Sequence, residues 1–182
     1  MAASPLYDEA EVLRMLGHDS ERRQAFELVV RHYSEQLYWT IRRFVLTHED
    51  ADDVLQNTFV KAWQNLPAFE RRSSLSTWLH RIAVNEAIDH LRRNKNRIAA
   101  EQVEPLAQRL LADDYFDGDQ AEALLQQAIA SLPDVQRTVF LMRYYDNLPY
   151  TDISSILGTS VGALKASYHI ATRKIKDFLD QE

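Results

Sequence analysis

The chain has 182 residues, 46% hydrophobic and 26% charged, a globular balance with room for one medium domain or two small ones. It contains no cysteine, which excludes disulfides, thiolate metal sites and thiol redox sensing within the chain. No apolar run reaches membrane-span length and the start MAASPLYDEAE lacks a signal peptide's basic and apolar regions, so a cytoplasmic location is expected.

The net charge of −6 conceals a pattern. Residues 69–97 carry seven Arg or Lys against three acids, and 161–176 carry four Lys or Arg against none, so each segment stands at +4. Residues 99–122 carry seven acids against Arg109 alone, or −6. Screening confines such patches to roughly 8–10 Å, so the local sign outweighs the total. Two basic patches flank an acidic connector.

Proline and glycine cut the sequence into helix-length pieces with no convincing strand pattern, which predicts an all-α fold. Residues 8–16 read as a short leading helix closed by Gly17. Asp19 or Ser20 is then placed to cap a segment with Phe26, Val29, Val30, Tyr33, Leu37, Ile41, Phe44 and Val45 at helical spacing, as two helices or one bent one. Thr47 and Asp50 form a capping box for a helix that runs to about Leu66 before Pro67. Its inner stripe is Ala51, Val54, Leu55, Phe59, Ala62 and Trp63, and its other side offers Asp52, Asp53, Gln56 and Asn57.

Next comes FERRSSLSTWLHRIAVNEAIDHLRRNKNR, residues 69–97. After the loop FERRSS, Ser73 or Ser74 can cap a helix with Leu75, Leu79, Ile82, Ala83 and Ala87 inward. At about 100° per residue, Trp78, Arg81, Asn85, Asp89 and Arg92 share another side. An aromatic plate beside an arginine and an asparagine suits unstacked bases, because rings stack on any base and amides read base edges. An amphipathic helix with a buried tryptophan and a solvated charged side has the same spacing.

Residues 94–120 are acidic and weakly periodic, a linker in which Leu106, Leu110 and Leu111 can make a transient helical turn. Beyond it, Ala123, Leu124, Ala128, Ile129 and Leu132 begin a second core. Pro133 opens the next helix, with Val135, Val139, Phe140 and Tyr144 on its inner side. Thr151 is placed to cap a short helix with Ile153, Ile156 and Leu157, and Gly158 provides a left-handed exit. Ser160 caps the last helix, with Val161, Leu164, Tyr168 or Ala171, and Ile175 inward. A short helix, a glycine turn and a longer basic helix are the parts of a helix-turn-helix.

The run TWLHRIAVNEAIDHLRR resembles the promoter-opening helix of bacterial extracytoplasmic-function sigma factors, in the sigma-70 superfamily. EDADDVLQNTFVKAW is similar to that family's polymerase-binding helix, and LPDVQRTVFLMRYYDNLPYTDISSILG to its upstream-binding domain. The resemblance implies two small helical domains joined by a flexible acidic linker: 1–96 (sigma region 2), the connector 97–120, and 121–182 (sigma region 4). It implies a transcription initiation factor with core RNA polymerase and promoter DNA as partners, and a cognate anti-sigma factor as a candidate partner. It assigns Asp52, Asp53, Gln56, Phe59 and Trp63 to polymerase. Phe69, Arg71, Arg72, Trp78, Arg81, Asn85 and Arg92 go to the −10 element, and Ser160, Lys165, Ser167, His169, Arg173 and Lys174 to the −35 element. Where many members carry several arginines in the last helix, this chain reads VGALKASYHIATRKIK.

Two other readings compete. A helix-turn-helix regulator independent of polymerase would bind its duplex specifically on its own. An enzyme reading would rest on Asp52/Asp53 and Asp113/Asp114, but adjacent acids do not share a helix face and no HExxH or phosphate loop occurs. No catalytic residue, cofactor or metal site is therefore expected.

Overall fold

The computed structural model describes residues 7–45, 47–101, 106–112, 116 and 118–181, without the side chains of 95–101 and Arg109. Asp113 and Asp114 lie outside the described residues. Among these residues every regular element is a helix: α1 (Glu9–Leu16), α2 (Arg22–Val45), α3 (His48–Asn65), a 3-10 turn (Leu66–Ala68), α4 (Leu75–Glu101), α5 (Leu106–Leu111), α6 (Gln120–Ala130), α7 (Asp134–Tyr144), α8 (Tyr150–Leu157) and α9 (Val161–Leu179).

Helices α1–α4 form the first bundle. The Asp8 carboxylate accepts from the Ala10 and Glu11 amides and starts α1. The next segment is one helix: α2 runs unbroken for 24 residues and buries Val29, Leu37, Ile41 and Phe44. Asp19 is not seen capping it; its carboxylate pairs with the Arg22 guanidinium at 2.6 Å. The capping box forms as expected, with the Asp50 amide donating to Thr47 Oγ1 and that hydroxyl donating to the Asp50 carboxylate. Two polar pairs join α3 to α4: the Lys61 ammonium with the buried Glu86 carboxylate, and His90 Nε2 with Asp50 Oδ1 at 3.0 Å.

Ser74, rather than Ser73, opens α4, accepting from the Thr77 amide at 3.1 Å. That helix continues to Glu101, into the stretch expected as linker. The supposed transient turn is a six-residue helix, α5, docked on α6 through Ala107, Leu110 and Ala123. The Gln127 side chain completes the dock by accepting from the Ala107 amide at 2.9 Å. A pair of leucines is too sparse to show periodicity, yet suffices once a facing alanine removes steric bulk.

In α6–α9 three expectations, for Val135, Thr151 and Tyr144, differ from the structure. Val135, expected on the inner side of α7, is 61% exposed. It stands at the second residue of that helix, before the stripe of Val139, Phe140 and Met142 meets the core. Thr151 does not cap α8: Pro149 holds the capping position with extended backbone, and Thr151 is already inside the helix. A proline here presets φ and removes its own amide from those that need an acceptor. Tyr144 is 54% exposed but stacks on Phe140 with centroids 5.1 Å apart.

The two bundles touch. Helix α4 packs against α8 and α2 against α7, so buried residues of both halves form one continuous cluster.

Candidate nucleic-acid interface

The α4 side expected to meet bases is built as a platform with exposed polar groups above it. Phe69 and Trp78 are half-buried and lie 4.8 Å apart between ring centroids. Trp78 therefore supports the bundle as well as forming its rim. Arg81, Asn85, Asp89 and Arg92 are exposed on the same side, with Arg92 3.8 Å from the Asp89 carboxylate.

The preceding loop is held from a distance. Arg71 takes a left-handed backbone, φ 57°, and its guanidinium donates to the Leu13 carbonyl at the end of α1. Glu9 Oε1 accepts from the Leu75 amide at 3.4 Å, so the first turn of α4 is capped by another helix. Neither contact has a local signature, being 58 and 66 residues apart in sequence. Arg72 pairs with Glu70 at 2.5 Å and is otherwise exposed.

This geometry separates two roles for Arg71. A tether acts on shape, whereas a phosphate contact releases a counterion. Arg71→Ala is expected to slow promoter opening while leaving the salt slope of duplex binding unchanged. A slope reduced by about one unit in a salt titration would instead mark a phosphate contact.

On α3, Asp52, Asp53 and Gln56 are exposed on one side. Phe59 is half-buried and Trp63 is 41% exposed, so the expected inward position of Trp63 is only partly realised. Phe26 explains this: its ring lies 5.1 Å from Trp63 and 6.4 Å from Phe59, filling the seam and leaving the indole at its edge.

In the second bundle, Gly158 leaves α8 with φ 64° and its amide donates to the Ser154 carbonyl at 2.9 Å. An L side chain would be strained at this φ, which glycine adopts freely. Ser160 caps α9, accepting from the Ala163 amide at 3.3 Å, so its oxygen already has a structural duty. Leu164, Ala171 and Ile175 bury the other side of α9. Lys165, His169, Arg173 and Lys174 are exposed, while Ser167 is half-buried. Lys165 Nζ stands 5.9 Å from the centre of the Tyr150 ring.

Residues 29–97 match the family model for sigma-70 region 2 and residues 122–175 that for sigma-70 region 4. The chain is 31% identical to the ECF RNA polymerase sigma factor SigW of Bacillus subtilis, over 81% of this chain and 84% of that protein. The chain belongs to the extracytoplasmic-function sigma factors. The RNA polymerase sigma-H factor of Pseudomonas aeruginosa is 32% identical over 79% of this chain and 80% of its own length. In fold, this sigma factor is similar to CnrH in its complex with the cytosolic domain of CnrY, with TM-score 0.70, 23% identity and 96% and 98% of the two chains covered. The structure of RpoE with the anti-sigma factor NepR from Bartonella quintana gives TM-score 0.66 at 21% identity, covering 85% and 96%. Sigma factors are non-catalytic transcription factors. Among the described residues of this one, no helix is long and apolar enough to cross a membrane, and no His/Cys/Asp/Glu group is arranged to hold a metal.

Proposed function

We propose that this sigma factor binds core RNA polymerase, directs it to specific promoters and opens the DNA at the −10 element. The observation that carries the reading is the exposed Arg81 and Asn85 above the Phe69–Trp78 platform, in the same chain as a glycine-turned helix-turn-helix. Capturing flipped bases on that platform offsets an unstacking cost of a few kcal/mol. Residues 1–96 supply this work, and the acidic side of α3, with Asp52, Asp53, Gln56 and the Phe59–Trp63 edge, meets polymerase. Residues 121–182 read the −35 element as duplex, and 97–120 connect the two. The factor catalyses no reaction, works in the cytoplasm beside its polymerase, and is open to control by an anti-sigma factor.

Run-off transcription on genomic fragments, with and without the chain added to core polymerase, tests this. New discrete start sites are expected. Their absence, or tight specific binding of duplex by the chain alone, would favour a polymerase-independent regulator.

Helix α9 yields a finer expectation. Lys165 lies in its second turn, near the end from which groove-entering helices usually meet base edges, and His169 follows one turn later. Arg173 and Lys174 suit phosphates. Lys165→Ala should relax −35 selectivity by roughly 1–3 kcal/mol, whereas Lys174→Ala should weaken all duplexes alike and lower the salt slope by about one unit. Isotherms of the full chain with core polymerase, on promoter and scrambled duplexes across a salt series, distinguish these outcomes.

A further inference from the structure

Helix α1 and the loop before α4 complete each other's open ends. At the end of α1 the Gly17 amide bonds the Arg14 carbonyl at 3.0 Å rather than that of Leu13. The Leu13 carbonyl instead accepts from the Arg71 guanidinium, 58 residues along the chain. A cation there meets both an orphan carbonyl and the negative end of the helix dipole. The fit is close, since a Cβ built on Gly17 would stand 3.7 Å from Arg71 Nη2.

Helix α4 has the opposite need, because its first amides lack partners within the helix. Ser74 Oγ accepts from the Thr77 amide at 3.1 Å, and Glu9 Oε1 accepts from the Leu75 amide at 3.4 Å. The half-buried Glu9 carboxylate also lies at the positive end of the α4 dipole. Between these two anchors, Arg71 holds a left-handed φ of 57°. A residue with a long side chain keeps such a backbone only where its surroundings enforce it, and here both enforcing partners belong to α1. Helix α1 can hold them because Val12 and Leu16 bury it against α2.

We propose that α1 is the frame of the loop 69–74, and that Glu9 is a positioning residue for base choice at the −10 element. The frame rests on the structure, and its effect on base choice rests on the promoter reading. A binding site discriminates only when its groups are held within about 0.5 Å of the productive geometry. An exposed loop of six residues lacks that precision by itself, and two anchors on a packed helix supply it. Base preference then belongs to α1 and the loop jointly, and a change at Glu9 shifts it by reshaping the loop rather than by touching DNA.

Amide hydrogen exchange in the full chain tests the frame without DNA or polymerase. Glu9→Ala should speed exchange of the Leu75 amide about tenfold, the scale of a lost helix cap, with helical content retained. Glu9→Gln keeps an oxygen able to accept and should stay near the parent. Base choice is read from the start sites that core polymerase uses, with each variant, on promoters randomised across the −10 element. Glu9→Ala should cut the preference for the favoured base at one −10 position about fivefold, at unchanged core affinity, and Glu9→Gln should keep it. Unchanged exchange at Leu75 in Glu9→Ala would overturn the frame. Faster exchange with unaltered base preference would overturn the positioning role. A parent chain that yields no discrete start sites would overturn the promoter reading and the positioning role with it, while the exchange rates still decide the frame.

Discussion

Reversing Asp52 and Asp53 together to lysine is expected to leave the chain folded and sharply weaken its hold on core polymerase. Both residues are exposed on α3. Asp52 faces His48 Nε2 at 3.3 Å, an exposed pair of a kind worth only a few tenths of a kcal/mol. Losing acids in the second turn of a helix adds little, because the dipole's influence falls off within the first turn. The melting temperature should therefore shift by no more than a few degrees. Placing two cations against a surface adapted to two anions costs several kcal/mol, and each 1.4 kcal/mol is tenfold, so affinity should fall on the order of 100-fold. Titration of labelled core polymerase measures this. Unaltered affinity would move the polymerase contact away from this side of α3.

The second large effect separates support from readout on α4. Asn85 is exposed, so Asn85→Ala should leave stability unchanged while removing an amide able to read a base edge, a loss worth about 1–3 kcal/mol. Trp78 is half-buried against Phe69, so Trp78→Ala removes packing as well as a stacking plate. Full burial would put the truncation cost at about 3–5 kcal/mol, and partial exposure places it nearer 2–3. At roughly 2–4 °C per kcal/mol for a chain of this size, the melting temperature should drop by about 5–10 °C. Both variants should lose thymine reactivity to permanganate in the promoter bubble, yet only Trp78→Ala should also melt early. Normal bubble reactivity in Asn85→Ala would take base recognition off this side of α4.

Locally encoded features were legible in the sequence. Thr47 with Asp50, Ser74, Gly158 and Ser160 each act within four residues of where they stand, so residue type and spacing identify them. The exposed rows on α3, α4 and α9 follow from helical periodicity in the same way. What stayed hidden depends on partners distant in sequence. Arg71 reads as a loop cation until Leu13 is seen beside it, and Glu9 as an ordinary first-turn acid until it caps α4. His80 lies at the border of the apolar stripe of α4, about 20° from Ala87, and its polar ring gives no hint that it is fully buried. The spacing of Trp63 fits the inner stripe of α3, but the Phe26 ring already occupies the seam.

The polar pairs between α3 and α4 have a mechanical meaning. Lys61 grips Glu86 near the middle of α4, and Asp50 grips His90 one turn further on, while Val54 and Ala62 fill the gap between the helices. Sliding one helix along the other would strip the buried Glu86 carboxylate of its cation, and an unpaired buried charge is costly. The joint therefore has little play. On the proposed reading, a tilt of α3 at its polymerase contact would pass through these pairs to the α4 side that carries Arg81 and Asn85. If both assignments hold, the hold on polymerase and the aim at the bases are set together, and a change that reseats α3 should alter which promoters open.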